Sequence, residues 1–483
     1  MGDRSGSLGT IPLVVVSFAV VVAVAVATGG AYSNGWNPPG AAPHDSLLAS
    51  ALIGSADDGA FPMSSPQTVI ATIPVGPSPS PAVYDPRNGD LYATTHLYGG
   101  GAFPAGNLVV VAGSSNSLIG SIPMGVSLSM PVYEDATGTL YVADETFGIF
   151  HMISSSNDSI VGSFRVSSGA FAQPAGLTVD PRDGDLYIPY IQNGAGYLSV
   201  VSGTTYAILE TLPMGYDPGT PTFVGATGDL YVPYINGTAA GFLAVVAGSN
   251  NTLIATIPVD SFPISPTYDP SNGDLYVACG NDNDMDVVNT TTDRVAATIP
   301  IGTDPTPPVY DAANGRIYEL ASAAGYLLVV SDSSNTIVSN VSVGAGSAPP
   351  TVDNLNGNVY VASNGAGNGA NVVREVSGTN SSVLATIPLS STPTGEVTVD
   401  YANGYLYVPT SGGALLALGP TPASRSTFLG LPGSEGYALV GSIIGAAGIS
   451  AGIGIAVFGR SSRPTPEPAR RAFPPTGSSP PRL

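Results

Sequence analysis

The chain contains no lysine. All 13 basic residues are arginine, set against 34 acidic ones, and the formal net charge is −21 over 483 residues. A surface this negative repels phosphate backbones, so nucleic acid is not an expected partner. Charged residues of both signs make up only 10% of the chain. So sparse a charge limits self-repulsion once the carboxylates protonate, which points to tolerance of acid. Cys279 is the single cysteine, so an intrachain disulfide and a Cys-rich zinc site are both excluded. Histidine is limited to His44, His96 and His151, too widely spread for a multi-His metal site. A Ser-His-Asp arrangement would need His96 or His151, and no nucleophile-elbow motif accompanies either.

Turn residues and β formers are abundant. Gly (61) and Pro (44) exceed a fifth of the chain, while 43% of residues are hydrophobic. There is no period of three, so a collagen-like rod is excluded.

Two long apolar runs mark the ends. Ile11 to Thr28 is uncharged, follows Arg4 and precedes the small residues "GGAYS". It reads as a secretory signal ending near Ser33, or as an uncleaved anchor. Tyr437 to Phe458 is also uncharged and long enough, at about 1.5 Å per residue, to cross a hydrocarbon core of about 30 Å. Arg460, Arg463, Arg470, Arg471 and Arg482 follow it against one acid, Glu467, which puts the C-terminus in the cytoplasm and the rest outside. Within the run, Gly441, Gly445, Gly448, Gly452 and Ala456 form a small-residue stripe. Such a stripe suits a homodimer through the span, or simply a glycine-rich anchor.

The region between is repetitive. "YDPSNGDLYVACG" from Tyr268 returns as "YDPRNGDLYATTH" from Tyr84 and "VDPRDGDLYIPYI" from Val179. The tyrosine of an "LY", "IY" or "VY" pair recurs at Tyr92, Tyr141, Tyr187, Tyr231, Tyr276, Tyr318, Tyr360 and Tyr407, 42 to 49 residues apart. That period fits four-stranded propeller blades, and the short β-branched runs between Gly, Asn, Asp and Pro exclude a helical array. Around Tyr276, strand a is Ser265–Asp269, strand b "DLYVAC", strand c Met285–Asn289 and strand d Arg294–Ile301. A proline is expected to open each strand a: Pro81, Pro131, Pro174, Pro221, Pro266, Pro308, Pro350 and Pro393. The last blade lacks a strand d, and "TVIATIPVG" from Thr68 is a strand d without a blade. The leading strand should therefore complete the final blade. The expectation is an all-β, eight-bladed β-propeller, or a seven-bladed one if the divergent repeat around Tyr141 or Tyr318 is not a full blade.

The segments are then a signal peptide or anchor (1–33), a linker (34–67), the propeller (68–420), a stalk (421–436), a transmembrane helix (437–458) and a basic, Pro-rich cytoplasmic tail (459–483). The pattern "DPxNGDLYV…VV…NTxxATIPVG" resembles the YVTN-type β-propeller repeat of YncE-like proteins and of archaeal surface-layer propellers. The run "FLGLPGSEGYALVGSIIG" followed by arginines resembles anchors of archaeal cell-surface proteins. These resemblances imply a propeller at the cell surface. They leave activity open, since propellers carry unrelated functions.

The b–c loops vary most, so the binding face is expected there. Tyr190 and Tyr234 occupy matching places in neighbouring blades and offer aromatic faces to a sugar or peptide, or plug the blades together. His96 and Tyr98 stand at the long first b–c loop. Asp282, Asp284 and Asp286 form part of a calcium-loop pattern, although Val287 stands where the loop glycine belongs. Asn157, Asn236, Asn250, Asn289, Asn340 and Asn380 begin N-x-S/T sequons, glycan acceptors in an exported chain. The expected role is non-catalytic recognition of a protein or glycan at the cell surface, or an envelope structural part. The alternative is an extracellular lactonase- or esterase-like propeller hydrolase.

Overall fold

The computed structural model describes residues 67–96, 105–167, 172–366 and 370–420. The signal or anchor segment, the linker up to residue 66, the stalk, the candidate transmembrane helix and the tail lie outside the described residues. Among those described, no helix is long and apolar enough to cross a membrane.

Blade 5 shows how the repeat folds. Its strands are Thr267–Asp269, Asp274–Cys279, Asp284–Asn289 and Arg294–Pro300, paired antiparallel in that order from a to d. The a–b turn closes because Asp269 Oδ1 accepts the Ser271 N–H at 2.7 Å, and Gly273 takes a φ of 80° that a side chain would resist. Strand b is apolar on both faces because each face meets another blade. Tyr276 packs into the seam with blade 6, while Val277 and Cys279 pack into the seam with blade 4.

Eight such sheets form the ring, all built on strands a to d. The repeats around Tyr141 and Tyr318 are full blades, Val132–Arg165 and Val309–Ser342. The leading strand, Gln67–Pro74, pairs with Ala414–Pro420 and supplies strand d of blade 8. Closure extends inward: Thr398 Oγ1 donates to the Ala82 carbonyl at 2.7 Å, and Tyr407 donates to Asn116 Oδ1 at 2.7 Å.

The eight repeat tyrosines are all fully buried. Five of their hydroxyls donate across a seam to the next c–d turn, Tyr407 among them, whereas Tyr360 donates to Glu375 within its own blade at 3.2 Å. Tyr92, Tyr231 and Tyr276 donate to Asp158, Asp293 and Asn335 in the following blade at 2.7, 2.8 and 2.9 Å, and Tyr187 donates to Asn251. Each acceptor sits in a c–d turn with φ between 50° and 59°, a conformation Asn and Asp tolerate. In blades 3 and 7 that place is taken by Tyr206 and Ser381. Tyr141 then donates to Glu134 within its own blade, and Tyr318 accepts from Asn314.

The expected prolines need a correction. Only Pro131, Pro221, Pro266, Pro308 and Pro350 directly precede strand a; Pro81 stands one residue earlier. Pro174 and Pro393 pair instead with Tyr190 and Thr410 at the far end of strand b, as Pro263 and Pro305 do with Cys279 and Ala321. The residues before strand a in blades 3 and 8 are Leu177 and Val397, apolar and buried like proline.

In every blade, strand d shifts register at the same place against strand c. The extra residue is mostly an exposed aliphatic, such as Val161 at 59% and Ile254 at 54%. The bulge interrupts the outer edge and hinders strand addition by another chain.

Candidate functional site

One face of the ring carries the a–b and c–d turns, which repeat with little change. The opposite face carries the b–c loops and the d–a connectors, and there the blades differ. Two cavities open along it, each of about 330 Å³. One lies between blades 2 and 3, lined by Met130, Phe150 and Leu177 with Glu145 at its edge. Burial raises the Glu145 carboxyl, and Ser127 Oγ donates to it at 3.4 Å.

The other spans blades 4 to 6 and is built from three successive d–a connectors. Asp217, Phe262 and Asp304 take matching places there, at φ of 50°, 57° and 57°. Ser78 and Ser127 hold the same place in blades 1 and 2. Serine and aspartate suit a left-handed residue because the short polar side chain bonds locally; phenylalanine does not. Phe262 is nevertheless 37% exposed, and Tyr216 nearby is 50% exposed. The backbone therefore holds an aromatic ring toward solvent against its own preference.

Asp217 and Asp304 line this cavity, and further carboxylates hold the connector that leads to Phe262. Asp282 Oδ2 accepts the Ser261 N–H at 2.7 Å. Asp286 is buried and fully engaged, accepting the Asp260 N–H at 2.9 Å and the Thr298 hydroxyl at 2.6 Å. Burial first, then the charge and hydrogen bond of Asp260, push Asp284 up to about 7. The calcium reading of Asp282, Asp284 and Asp286 finds no cage here. Strand c begins at Asp284, so Asp286 turns inward on spent oxygens. Among the described residues, no three His, Cys, Asp or Glu side chains gather as a metal would require.

The other expected residues are dispersed. Tyr190 is 2% exposed in the seam of blades 2 and 3, stacked on Tyr197 at 5.3 Å. Tyr234 is half-buried against the next seam, stacked on Phe242 at 5.4 Å. The two rings serve different seams and form no shared open platform. His96 ends strand b of blade 1, and burial lowers its imidazole. Tyr98 lies outside the described residues. Asn157, Asn250 and Asn380 are exposed in c–d turns, and Asn340 is exposed on strand d of blade 6. Asn236, half-buried, accepts the Thr238 hydroxyl at 2.7 Å; Asn289 spends its amide on Asp274 at 2.9 Å.

Phe262 and Asp260 had no signal in the sequence. A left-handed φ cannot be read from one phenylalanine, and Asp260 meets Asp284 only across the seam between blades 4 and 5.

No family model matches the sequence, and no curated protein matches it. Solved structures do match in fold. The structure of the Dos1 propeller aligns with a TM-score of 0.56 at 14% identity, covering 74% of this chain and 95% of that one. The dihydro-heme d1 dehydrogenase NirN, in complex with DHE, aligns with a TM-score of 0.54 at 13% identity, covering 74% of this chain and 76% of that one. At such identities the likeness is one of fold alone: the chain is similar to these proteins as a β-propeller.

Proposed function

We propose that the chain is a YVTN-type, membrane-anchored extracellular β-propeller that binds a protein or glycan through the b–c and d–a face, without catalysis. One observation carries this reading. Gln67 pairs with Pro420, so both ends of the ring leave blade 8 side by side at the c–d turns. A tether at either end then holds the ring by its regular face. The irregular face, with Phe262 and Tyr216 exposed, points away from the attachment. The same orientation suits a structural part of the cell envelope.

The test is photo-crosslinking on intact cells, with a photoreactive side chain placed at Phe262 in the full-length chain and, separately, at Ser156 on the opposite face. Discrete adducts from position 262 and none from 156 support the reading. Equal labelling from both positions, or none from 262, overturns it.

The lactonase- or esterase-like alternative retains one observation of its own. Asp260 and Asp284 face each other, with Asp284 held near neutrality as a general acid–base group would be. Turnover of a simple lactone that is lost in Asp284→Asn would favour it.

A further inference from the structure

The central channel is lined by the strands a, and blade 8 differs from the rest. Four residues ahead of the residue that closes strand a, blades 1, 6 and 7 carry Pro81, Pro307 and Pro349. Only blade 8 has an ionisable residue there, Glu396. Its carboxyl makes no hydrogen bond or ion pair with the described residues, and burial raises it. A half-buried, unpartnered carboxylate is costly to keep.

Glu396 lines a cavity of about 390 Å³ between blades 6, 7, 8 and 1. Toward its other end, Tyr84 and Tyr401 meet as an aromatic corner, ring centroids 6.1 Å apart and planes at 69°. The charge of Asp400 acts on Tyr84 and that of Asp353 on Tyr401, so carboxylates lie behind the corner. No arginine lines the cavity. Glu396 and Tyr401 are separated by a strand length on the order of 15 Å, at about 3.3 Å per residue.

We propose that this channel cavity binds a linear polyamine, with one ammonium on Glu396 and another on the Tyr84–Tyr401 corner. An ammonium over a tyrosine face is held by the ring quadrupole, and the carboxylates behind strengthen it. A compact cation would satisfy one end only. A neutral sugar is a poorer fit, because the Tyr84 hydroxyl already lies beside Asp400 and that of Tyr310 beside Ser271 and Asp269.

The experiment is calorimetric titration of the full-length chain with spermidine at fixed ionic strength, with magnesium chloride at matched ionic strength as the comparison. The expected result is saturable one-to-one binding to spermidine and not to magnesium. Glu396→Gln should weaken it at least about tenfold, as loss of a desolvated counter-charge does, and Tyr401→Ala should weaken it to a lesser degree. Glu210→Gln, which removes an exposed acid on the rim, should leave it unchanged. Circular dichroism establishes that each variant is folded. Absence of binding overturns the proposal. So does equal binding by Glu396→Gln, an equal response to magnesium, or an equal loss in Glu210→Gln, which would mark general attraction to an acidic protein.

Discussion

The Tyr231 hydroxyl donates to Asp293 Oδ1 at 2.8 Å, joining the buried centre of blade 4 to the c–d turn of blade 5. Asp293 does two jobs: it tolerates the left-handed turn at φ 51°, and it accepts the bond that aligns the seam. A hydrogen bond to a carboxylate contributes about 1.5–3 kcal/mol. Tyr231→Phe and Asp293→Ala should each destabilise the ring by that order. Since they remove the same bond, the double variant should cost less than the sum, with a coupling of about 1–2 kcal/mol. Urea unfolding of the four proteins measures it. Additive effects would mean that the bond does not hold the seam.

Ring closure rests on the leading strand. Ile73 is 2% exposed and packs with Leu415, Ala417 and Val109 in the seam between the closing blade and blade 1. Ile73→Ala should cost about 2–5 kcal/mol, as buried Ile→Ala changes do. Removing Gln67–Pro74 altogether should leave Ala414–Pro420 as an unpaired edge and cause concentration-dependent aggregation, read by light scattering. A truncated protein that stays monomeric with an unchanged melting temperature would show that the ring closes without this strand.

The ring was legible because its signals are local. Turn glycines, alternating proline and the "LY" pair lie within thirteen residues of each other, and the orphan strand at Thr68 matched the vacancy after Leu415. The register of the connectors was less legible. From Pro388 to Asp400 is twelve steps, whereas Pro300 to Asp311 is eleven. That single extra residue made Pro393 look like a strand opener and hid Glu396 from alignment with Pro307. The cross-blade bonds were out of reach for another reason. Tyr231 and Asp293 are 62 residues apart, and nothing in the repeat states that neighbouring blades meet at those atoms.

Among the described residues, every carboxyl displaced from its ordinary range moves upward, and in each burial is the largest cause: Asp90, Glu145, Asp185, Asp284, Asp286, Glu319, Asp353 and Glu396. An acid whose folded value exceeds its unfolded value holds its proton more tightly when folded. Its contribution is complete below the unfolded value, about 4, and is lost as pH rises through the folded one. For Asp284 the window runs from about 4 to about 7. The melting temperature should therefore be higher at pH 5 than at pH 8. A higher value at pH 8 would refute the ionisation argument.

Glu319 isolates the effect. It is fully buried in strand b of blade 6, and its Oε1 accepts the Thr306 N–H at 3.0 Å. Its Oε2 and the Thr306 hydroxyl both lack partners among the described residues. Glu319→Gln keeps the shape and cannot ionise. It should melt higher than the parent at pH 8 and much as the parent does at pH 4. A variant that melts lower at both values would show that the carboxyl, charged or not, makes a contact an amide cannot replace.

Phe262 separates strain from packing. Left-handed backbone at a residue with a Cβ costs about 1–2 kcal/mol, and a bulky aromatic gains no local hydrogen bond to offset it. The matching places hold Ser78, Ser127, Asp217 and Asp304, which suit that conformation. Phe262→Asn should therefore fold at least as well as the parent, with a gain of up to about 1 kcal/mol once the partly buried ring is lost. It should also lose whatever the exposed ring contacts. Paired measurements of urea unfolding and of surface cross-linking, with the photoreactive side chain now placed at the neighbouring, exposed Tyr216, decide the point. Stability gained with adducts lost identifies a ring kept for binding, at the expense of the fold. Stability lost with adducts retained would identify a packing residue, and the recognition site would then have to lie elsewhere on the ring.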